Sequence, residues 1–355
     1  MSPTADQNEL RSILGDAVTR LLTDLVTPDL ITAAERGEWP TALWRAVEEN
    51  GLTMPLVSEA KGGAGATWAD AFVVVNAAGR HAAPIPFAES IVASWLLSDA
   101  GLGVPEGPLT IAAGTDTPLA LARAGDRWRV TGTARRVPWG AAAEHVVVLG
   151  DGGGTPTVAL VARGQARVEA ERNVALEPRD TLRFDGTSAV AAAPTGLALD
   201  AVHVYGALIR SAQMAGALEG ALALSVKYVT ERKQFGRPIG SFQAIQHNLA
   251  VLAAQAAAAG LAAQHAFATA DRRDARFEIA CAKARVGEAA GIGASIAHQA
   301  HGAIGFTYEH SLHFLTRRLW SWRAEFGAEP VWQAELGRET ARRGADQLWP
   351  DLTSR

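Results

Sequence analysis

The first 105 residues carry apolar positions at helical spacing. In residues 9–25 apolar side chains recur every three or four positions, close to the 3.6-residue period of an α-helix. The same pattern returns in residues 39–50, 68–79 and 89–100, and stretches rich in glycine or proline separate these segments at 62–65 and 84–86. We therefore predict a helical N-terminal domain over residues 1–105.

The pattern changes over residues 106–198, where apolar runs become short and are punctuated by Gly, Pro and Asp. The candidate strands are residues 109–113, 119–124, 128–136, 145–149, 157–161, 167–171 and 181–184. The glycine-rich run at 150–154 lies between two of these strands without a following helix, which favours a hairpin turn over a phosphate-binding loop. This region predicts a small antiparallel β-domain.

Long helical patterns return over residues 199–355. They cover residues 199–232, 242–270 and 274–301, and shorter helices follow Tyr308. Residues 251–270 are apolar, but they are mostly alanine and are interrupted by Gln255, Gln264 and His265. That composition favours a helix packed against other helices over a membrane span. The sequence thus predicts an α+β protein of three domains, ending in a four-helix bundle.

Composition narrows the classes of function. The 355 residues have 48% hydrophobic side chains and a formal net charge of −4, which argues against nucleic acid or an anionic membrane as a partner. Cys281 is the only cysteine, so no internal disulfide forms, and a reducing cytoplasm fits the chain.

One segment is more informative than the rest. Residues 227–250 predict a helix that ends near Gly236 and Pro238, followed by a second helix with Ser241 as its N-cap. Residues 231–236 are Glu-Arg-Lys-Gln-Phe-Gly, and residues 238–247 are Pro-Ile-Gly-Ser-Phe-Gln-Ala-Ile-Gln-His. This amino-acid sequence closely resembles the C-terminal signature of the acyl-CoA dehydrogenase family. The resemblance is strong over residues 207–306, fair over the N-terminal third and poor in the middle.

The resemblance implies a fold and a reaction. Acyl-CoA dehydrogenases have a helical domain, a β-domain and a helical bundle, and they bind FAD between the last two. A carboxylate removes the α-proton of the acyl-CoA thioester while the flavin accepts the β-hydride. Such chemistry needs a polarised carbonyl, a base within reach, and a flavin ring lying flat against the reacting carbons.

The middle domain departs from the family pattern. The family's Thr-Glu-Pro-x-Ala-Gly-Ser-Asp segment is matched here by residues 111–117, which lack the glutamate and the proline. In the family's Trp-Ile-Thr/Ser segment, the tryptophan packs on the flavin ring and the hydroxyl group hydrogen-bonds to the ring. The residues at the matching positions here are Arg136, Val137 and Pro138. Trp139 could replace the missing indole after a local shift, or it could be an ordinary aromatic residue at a strand end, and we favour the second interpretation.

The C-terminal domain keeps the family pattern at the adenosine end of FAD. Arg232, Phe235 and Gln299 match family positions that touch the diphosphate and adenosine across a subunit interface. Gly302 and Ala303 begin the glycine-rich turn that follows, although the family usually has glycine at position 303, and the added methyl group narrows the approach to a phosphate or ribose.

The catalytic base is the sharpest departure. Phe326 occupies one of the two family positions for the base, and Gly206 lies near the other. Glu325 is adjacent to the first position and is the candidate base, because a shift of one residue in the alignment would place it at that position. Neighbouring residues on a helix, however, point about 100° apart.

Two further clusters have both a functional and a structural interpretation. His298, His301, His310 and His313 are spaced for shared helix faces, but no carboxylate-rich ligand set accompanies them, so packing at the bundle end is the default over a metal site. Four tryptophans, at positions 320, 322, 332 and 349, crowd the last segment, and we expect a buried subunit contact there in preference to a substrate pocket.

These observations lead to one hypothesis and two alternatives. The pattern resembles the smaller, β-type subunit of α2β2 acyl-CoA dehydrogenases, in which a homologous partner supplies the base and holds most of the FAD. The first alternative is a self-sufficient homo-oligomer that uses Glu325 as its base. The second is a non-catalytic scaffold or CoA-binding protein on the same fold. We expect acyl-CoA as substrate, a tetramer, and no metal, nucleic acid or membrane.

Overall fold

The N-terminal region of the computed structural model is helical, as predicted. The structure describes residues 5–272 and 274–353; the outermost residues of the two predicted end domains, 1–4 and 354–355, and residue 273 lie outside the described residues. The helices are α1 (Ala5–Leu25), α2 (Pro28–Glu35), α3 (Thr41–Glu49), α4 (Trp68–Arg80) and α5 (Phe87–Asp99). Thr67 and Asp70 form a reciprocal capping box at the start of α4, which fixes where this helix begins.

The central region forms one mixed sheet. Its strands are β1 (Leu109–Ala113), β2 (Leu119–Ala124), β3 (Arg127–Pro138), β4 (His145–Asp151), β5 (Pro156–Ala162), β6 (Arg167–Glu169), β7 (Arg179–Ser188) and β8 (Ala191–Pro194). The order is β6-β7-β3-β2-β4-β5-β8, and β1 also pairs with β4.

Most pairs in this sheet are antiparallel, as predicted, but β1 and β2 run parallel to β4, so the sheet is mixed. Residues 152–155 join β4 and β5 as a hairpin, and Asp151 Oδ1 accepts a hydrogen bond from the Gly154 amide at 2.6 Å. The interpretation of the glycine run as a hairpin turn is confirmed.

The C-terminal region consists of long helices packed against one another. It contains α6 (Ala201–Glu231), a two-strand hairpin of β9 (Lys233–Gln234) and β10 (Arg237–Pro238), α7 (Gln243–Thr269), α8 (Arg276–His301), α9 (Leu312–Ala324), α10 (Glu329–Arg343) and α11 (Leu348–Thr353). Ser241 is not the N-cap of α7: the cap position is Phe242, and the Ser241 hydroxyl donates to the Pro238 carbonyl at 2.7 Å. The predicted domain limits at 105/106 and 198/199 fall in the loops before β1 and α6, and we keep them as a proposal.

One described helix, α7, is long and apolar enough by length and composition to cross a membrane. Its buried positions Leu252, Ala256, Ala259 and Ala263 belong to the core cluster formed with α6 and α8. This packing agrees with the interpretation of residues 251–270 as a bundle helix.

The helices α4 and α6 cross at glycines. A Cβ atom on Gly79 would lie 2.0 Å from the Gln213 carbonyl oxygen, and one on Gly216 would lie 2.0 Å from that of Asn76. This close crossing joins the N-terminal helices to the bundle, and one hydrophobic core runs through both.

Candidate functional site

Phe235 stands at the tip of the hairpin that follows α6. Its φ is +51° and that of Gly236 is +79°, so this two-residue turn has the left-handed backbone typical of tight hairpins. The side chain is 91% exposed, and its ring meets the Phe242 ring edge-on, with centroids 6.1 Å apart. Arg232, the C-cap of α6, is exposed as well. Sequence and turn geometry together place an aromatic ring and a cation on an open surface.

Gln299 and Gly302 lie at the C-terminal end of α8. Gly302 ends the helix with a φ of +65°, and its amide donates to the His298 carbonyl. Both residues line an open cavity of about 450 Å³ whose walls also include the rings of His298, Phe306 and Trp320. The His298 ring stacks on Phe306 at 3.9 Å and on Trp320 at 5.6 Å. Ala303 is exposed beside this cavity.

The two groups of predicted cofactor residues lie at the same end of the bundle. Tyr228, one turn before the end of α6, stacks on His301 at the end of α8, with ring centroids 4.6 Å apart. The structure thus brings Arg232 and Phe235 to the same end as Gln299, Gly302 and Ala303. Exposed polar and aromatic groups beside an open cavity can hold one end of a nucleotide.

The four histidines of this end are packing residues in the structure. His298 Nε2 bonds Thr316 Oγ1 at 2.8 Å, and His301 Nδ1 bonds the Ala297 carbonyl at 2.8 Å. Burial lowers the pKa of all four rings, which favours the neutral form. Among the described residues no group of three or more His, Cys, Asp or Glu side chains could hold a metal ion.

Glu325 lies just after α9, at the junction of the three regions, and both of its carboxylate oxygens are bonded. Its Oε1 accepts from Arg179 Nε at 2.7 Å and from Asn173 Nδ2 at 3.1 Å, and its Oε2 accepts from Arg210 Nε at 2.7 Å. Burial raises the pKa of the Glu325 carboxyl, but Arg179 and Arg210 outweigh burial and lower the pKa to about 2. A carboxylate stabilised in this way is a poor proton acceptor.

Glu325 belongs to a larger buried ion network. Arg210 also contacts Glu89 of α5, with 2.6 Å between Nη2 and Oε1, and it donates to Gln213. Arg179 contacts Glu177 at 2.8 Å. Glu177 Oε2, which accepts from Arg179, also accepts from the Trp322 indole at 2.9 Å, and Glu177 Oε1 accepts from Arg318 at 3.0 Å. Three carboxylates therefore balance three guanidinium groups, and the network joins α5, β7, α6 and α9.

Phe326, which occupies one family position for the base, packs against Gly206, which lies near the other. It has a φ of +51°, and its ring lies 2.4 Å from where a Cβ atom on Gly206 would be. Two hydrogen bonds hold the backbone of residues 326–327 in place. The Trp332 indole donates to the Phe326 carbonyl at 3.0 Å, and Lys283 Nζ donates to the Gly327 carbonyl at 2.7 Å. The two positions from which the family draws its base are thus in contact with each other.

On the β-domain side of this junction, the residues at the family's flavin-ring positions bond or pack within the chain or face outward. Pro138, at the family position of a flavin-bonding hydroxyl, offers only its carbonyl, and that carbonyl accepts the hydroxyl of the fully buried Thr110. Arg136 lies in a bulge of β3 with a φ of +55° and is exposed. Trp139 packs edge-on against Trp39 of the N-terminal region, with centroids 6.5 Å apart, so it is an aromatic residue at a strand end.

The tryptophans of the last segment divide into two kinds. Trp322 and Trp332 are buried within this chain, so the expectation of a subunit contact is wrong for these two. Trp320 and Trp349 are 41% and 73% exposed and remain available for a contact.

Sequence reasoning missed the ion network around Glu325. Arg210 lies in the middle of the apolar helix α6 and is buried, an unusual place for an unpaired cation. An arginine inside an otherwise apolar helical stripe was therefore a signal that partners had to converge there. The identity of its acidic partners depends on tertiary structure, because Glu89 and Glu325 come from two other parts of the chain.

A helical domain, a mixed sheet and a bundle whose end carries the 231–247 signature define a flavin-dependent dehydrogenase fold, and the chain belongs to the acyl-CoA dehydrogenase family. The family's N-terminal domain model matches residues 4–102, and its C-terminal domain model matches residues 203–339.

Among its relatives is the acyl-CoA dehydrogenase IpdE2 of Mycobacterium tuberculosis, with 31% identity over 96% of this chain and 98% of the relative. IpdE2 of Mycolicibacterium smegmatis is 29% identical over 88% of this chain and 92% of the relative. A chain of the ChsE4-ChsE5 complex from Mycobacterium tuberculosis superposes with a TM-score of 0.86 at 26% identity, covering 97% of this chain and 99% of that one.

Proposed function

We propose that this chain is the subunit that does not donate the base in a hetero-oligomeric, FAD-dependent acyl-CoA dehydrogenase. The observation that carries the proposal is a contrast between two places. The junction where the family holds its flavin ring and base is filled by the Glu325 network and by Phe326 against Gly206. The bundle end, where the family touches the adenosine half of FAD, is open and exposed.

The residues of this chain fit one half of FAD and not the other. Arg232 can neutralise a diphosphate, Gln299 can bond polar edges of the nucleotide, and the exposed Phe235 offers an aromatic surface. At the junction, the Thr110 hydroxyl already donates to the Pro138 carbonyl, and Pro138 has no side-chain donor for the ring. FAD supplies hydride acceptance when it is bound, and we assign its ring pocket and the base to a homologous partner chain.

The relatives support the partner and the class of substrate. One structural neighbour is a complex of two different chains, and the related proteins are named acyl-CoA dehydrogenases. By analogy we propose an α2β2 tetramer that acts on an acyl-CoA thioester. Within this tetramer, this chain contacts the adenosine end of an FAD that is bound mainly by the partner chain.

Flavin retention by the assembled complex tests the proposal. We expect Arg232→Ala to weaken FAD retention by about 10- to 100-fold, the effect of losing one charge-assisted hydrogen bond of about 1.5 to 3 kcal/mol. Retention is measured as flavin absorbance per complex after gel filtration over a series of FAD concentrations. Arg167→Ala, an exposed arginine of the sheet, is the control and should bind FAD normally. Equal flavin content in the two variants would contradict the assignment.

The structure gives the first alternative no support, because Glu325 is engaged by two arginines and an asparagine. If the chain were self-sufficient, Glu325→Gln would abolish turnover of the chain expressed alone while its fold and flavin stayed in place. The non-catalytic alternative predicts a chain that neither assembles with a homologue nor changes that homologue's turnover.

A further inference from the structure

A second cavity lies away from the bundle end, between the N-terminal helices and the sheet. It has a volume of about 700 Å³, within the range of about 300 to 1,000 Å³ usual for small-molecule sites. It is lined by the segment between α2 and α3, by α3, by the turn after β3, and by residues 170–172, 178 and 180. The residues assigned above to FAD and to the base lie outside this lining.

Three indole rings form the aromatic wall of this cavity, those of Trp39, Trp44 and Trp139. The Trp39 centroid lies 6.0 Å from that of Trp44 and 6.5 Å from that of Trp139, with the planes inclined at 45° and 77°. The face of an indole attracts a cation more strongly than the face of the other aromatic side chains. Within the described part of the chain, the arginines that lie over aromatic rings all cover rings other than these three. The aromatic wall is therefore not occupied by a cation of the described chain.

The charged part of the lining is strongly acidic. It consists of two guanidinium groups, of Arg45 and Arg172, and five carboxylates, of Glu38, Glu48, Glu144, Glu171 and Asp180. Five negative and two positive groups give the lining a formal charge of −3. Among the described residues neither arginine pairs with one of these carboxylates: Arg172 donates to the Glu35 carbonyl at 2.6 Å, and Glu38 pairs with Arg36 outside the lining. A cleft lined by charge of one sign concentrates ions of the opposite sign.

Asp180 is the buried carboxylate of this set, with 1% of its surface exposed. Its Oδ2 accepts from the Ala141 amide at 2.7 Å and its Oδ1 from the Glu171 amide at 3.2 Å. Burial raises the pKa of the Asp180 carboxyl more than these amides and the charge of Arg179 lower it, and the Arg179 guanidinium is itself bonded to two other carboxylates. A buried carboxylate without an ion pair is stabilised when a cation binds beside it.

We propose that this cavity is a binding site for an organic ammonium ion that carries an apolar body. The indole faces contact the ammonium group and the body, and the carboxylates supply the counter-charge. The same negative charge disfavours a nucleotide, a phosphate or a carboxylate in the cavity. The site goes beyond the proposed dehydrogenase role, because it uses none of the residues assigned to FAD or to the base, and its guest is opposite in charge to an acyl-CoA.

Three probes of nearly the same shape and different charge test the site by equilibrium dialysis with the full chain. We expect saturable one-to-one binding of the cation benzyltrimethylammonium. Its uncharged isostere neopentylbenzene should bind at least about tenfold more weakly, because it lacks the cation–π and ionic contributions. The anion benzylsulfonate should not bind. Equal affinities for the cation and for its uncharged isostere would overturn the proposal.

Removing one ring tests the aromatic wall. Trp39→Leu takes away a half-buried indole face and keeps apolar bulk, so it should lower the affinity for benzyltrimethylammonium about fivefold. Trp349→Leu changes an exposed tryptophan of α11 and is the matched control. The same affinity in the two variants would contradict the assigned role of the indoles.

Removing charge tests the carboxylates. Glu144→Gln combined with Glu171→Gln changes two exposed side chains of the lining, and should lower the affinity for benzyltrimethylammonium about fivefold and leave that for neopentylbenzene unchanged. Asp180→Asn should have at least the same effect, and circular dichroism checks its fold because asparagine cannot accept both backbone hydrogen bonds with its one oxygen. Glu309→Gln, exposed outside the cavity, is the control. Unchanged binding of the cation in the double variant would contradict the proposal.

Filling the cavity tests its location. Ala142→Phe places a ring on the half-buried wall after β3 and should abolish binding of the cation, whereas binding that survives in this folded variant would overturn the proposal. The assembled complex should bind the cation as the isolated chain does, and loss of binding there would show that a partner segment covers the cavity and would also overturn it. These measurements do not depend on flavin content or turnover, so they separate this proposal from the dehydrogenase role.

Discussion

The Glu325 side chain is an ion held by two arginines, because Arg179 and Arg210 contact its two oxygens. Replacing it with glutamine would leave two buried guanidinium groups without their shared counter-charge. Breaking one partner of a buried ion pair costs about 3 to 5 kcal/mol. We therefore expect Glu325→Gln to lower the free energy of unfolding by that amount, measured with urea at pH 7.

The control is Glu309→Gln, since Glu309 is exposed after the turn that follows α8. That variant should unfold at nearly the wild-type urea concentration. If Glu325→Gln were as stable as wild type and had merely lost activity, a role as base would replace the structural role that we assign.

Acid should remove part of the same stabilisation. The pKa of the Glu325 carboxyl falls from 4.5 to about 2 on folding. A lowered pKa in the folded state stabilises the protein above pH 4.5, and this contribution is lost as the pH falls toward 2. The stability gap between wild type and Glu325→Gln should therefore narrow by about 2 kcal/mol between pH 7 and pH 3. A gap that stays constant across this range would contradict the assigned pKa.

At the scale of elements, the crossing of α4 and α6 determines how the N-terminal helices meet the bundle. Gly216→Ala would place a methyl group 2.0 Å from the Asn76 carbonyl oxygen, so the helices must separate. We expect a loss of about 3 kcal/mol in the free energy of unfolding, at the upper end of overpacking effects.

Gly337→Ala in α10 is the matched control, because nothing lies within 4 Å of the added methyl group. Alanine is the better helix former, so this variant should gain up to about 1 kcal/mol. Similar urea midpoints for the two variants would show that the crossing is looser than described.

Periodicity predicted most of these elements, since long helices and hairpin-linked strands are local features. The α8 helix, predicted over residues 274–301, is observed at Arg276–His301. Ser241 was wrong as a cap because it lies in the short turn Ile239–Ser241, one residue before the cap position Phe242, and its hydroxyl donates to the Pro238 carbonyl. The parallel pairing of β1 and β2 with β4 could not be read from the chain, because strand order depends on contacts between distant segments.

At the scale of the whole molecule, the residues matched to the adenosine end lie at one end of the bundle, although their two segments are more than 60 positions apart. Their role toward FAD remains a proposal. The proposed loss of the base had a sequence signal in Phe326 and Gly206. The ion pairs of Arg210 with Glu89 and of Arg179 with Glu325 had little signal, because their pairing exists only in the folded chain.

The exposed ring of Phe235 at the bundle end fits the proposed assembly. Phe235 is 91% exposed at a hairpin tip, so its ring buries little apolar surface within the chain. We expect Phe235→Ser to leave the thermal midpoint of the isolated chain unchanged and to weaken flavin retention in the complex severalfold. An equal effect on the isolated chain would point to an intramolecular role for this ring.

The flavin content of the chain, purified alone and together with a homologous dehydrogenase chain, tests the central claim most directly. Absorbance gives FAD per chain, and native mass spectrometry gives the assembly. The account predicts that the chain alone retains little FAD, and that the hetero-oligomer retains FAD and dehydrogenates an acyl-CoA thioester with the partner's base. One FAD tightly held by every copy of the isolated chain, with turnover of an acyl-CoA, would contradict it.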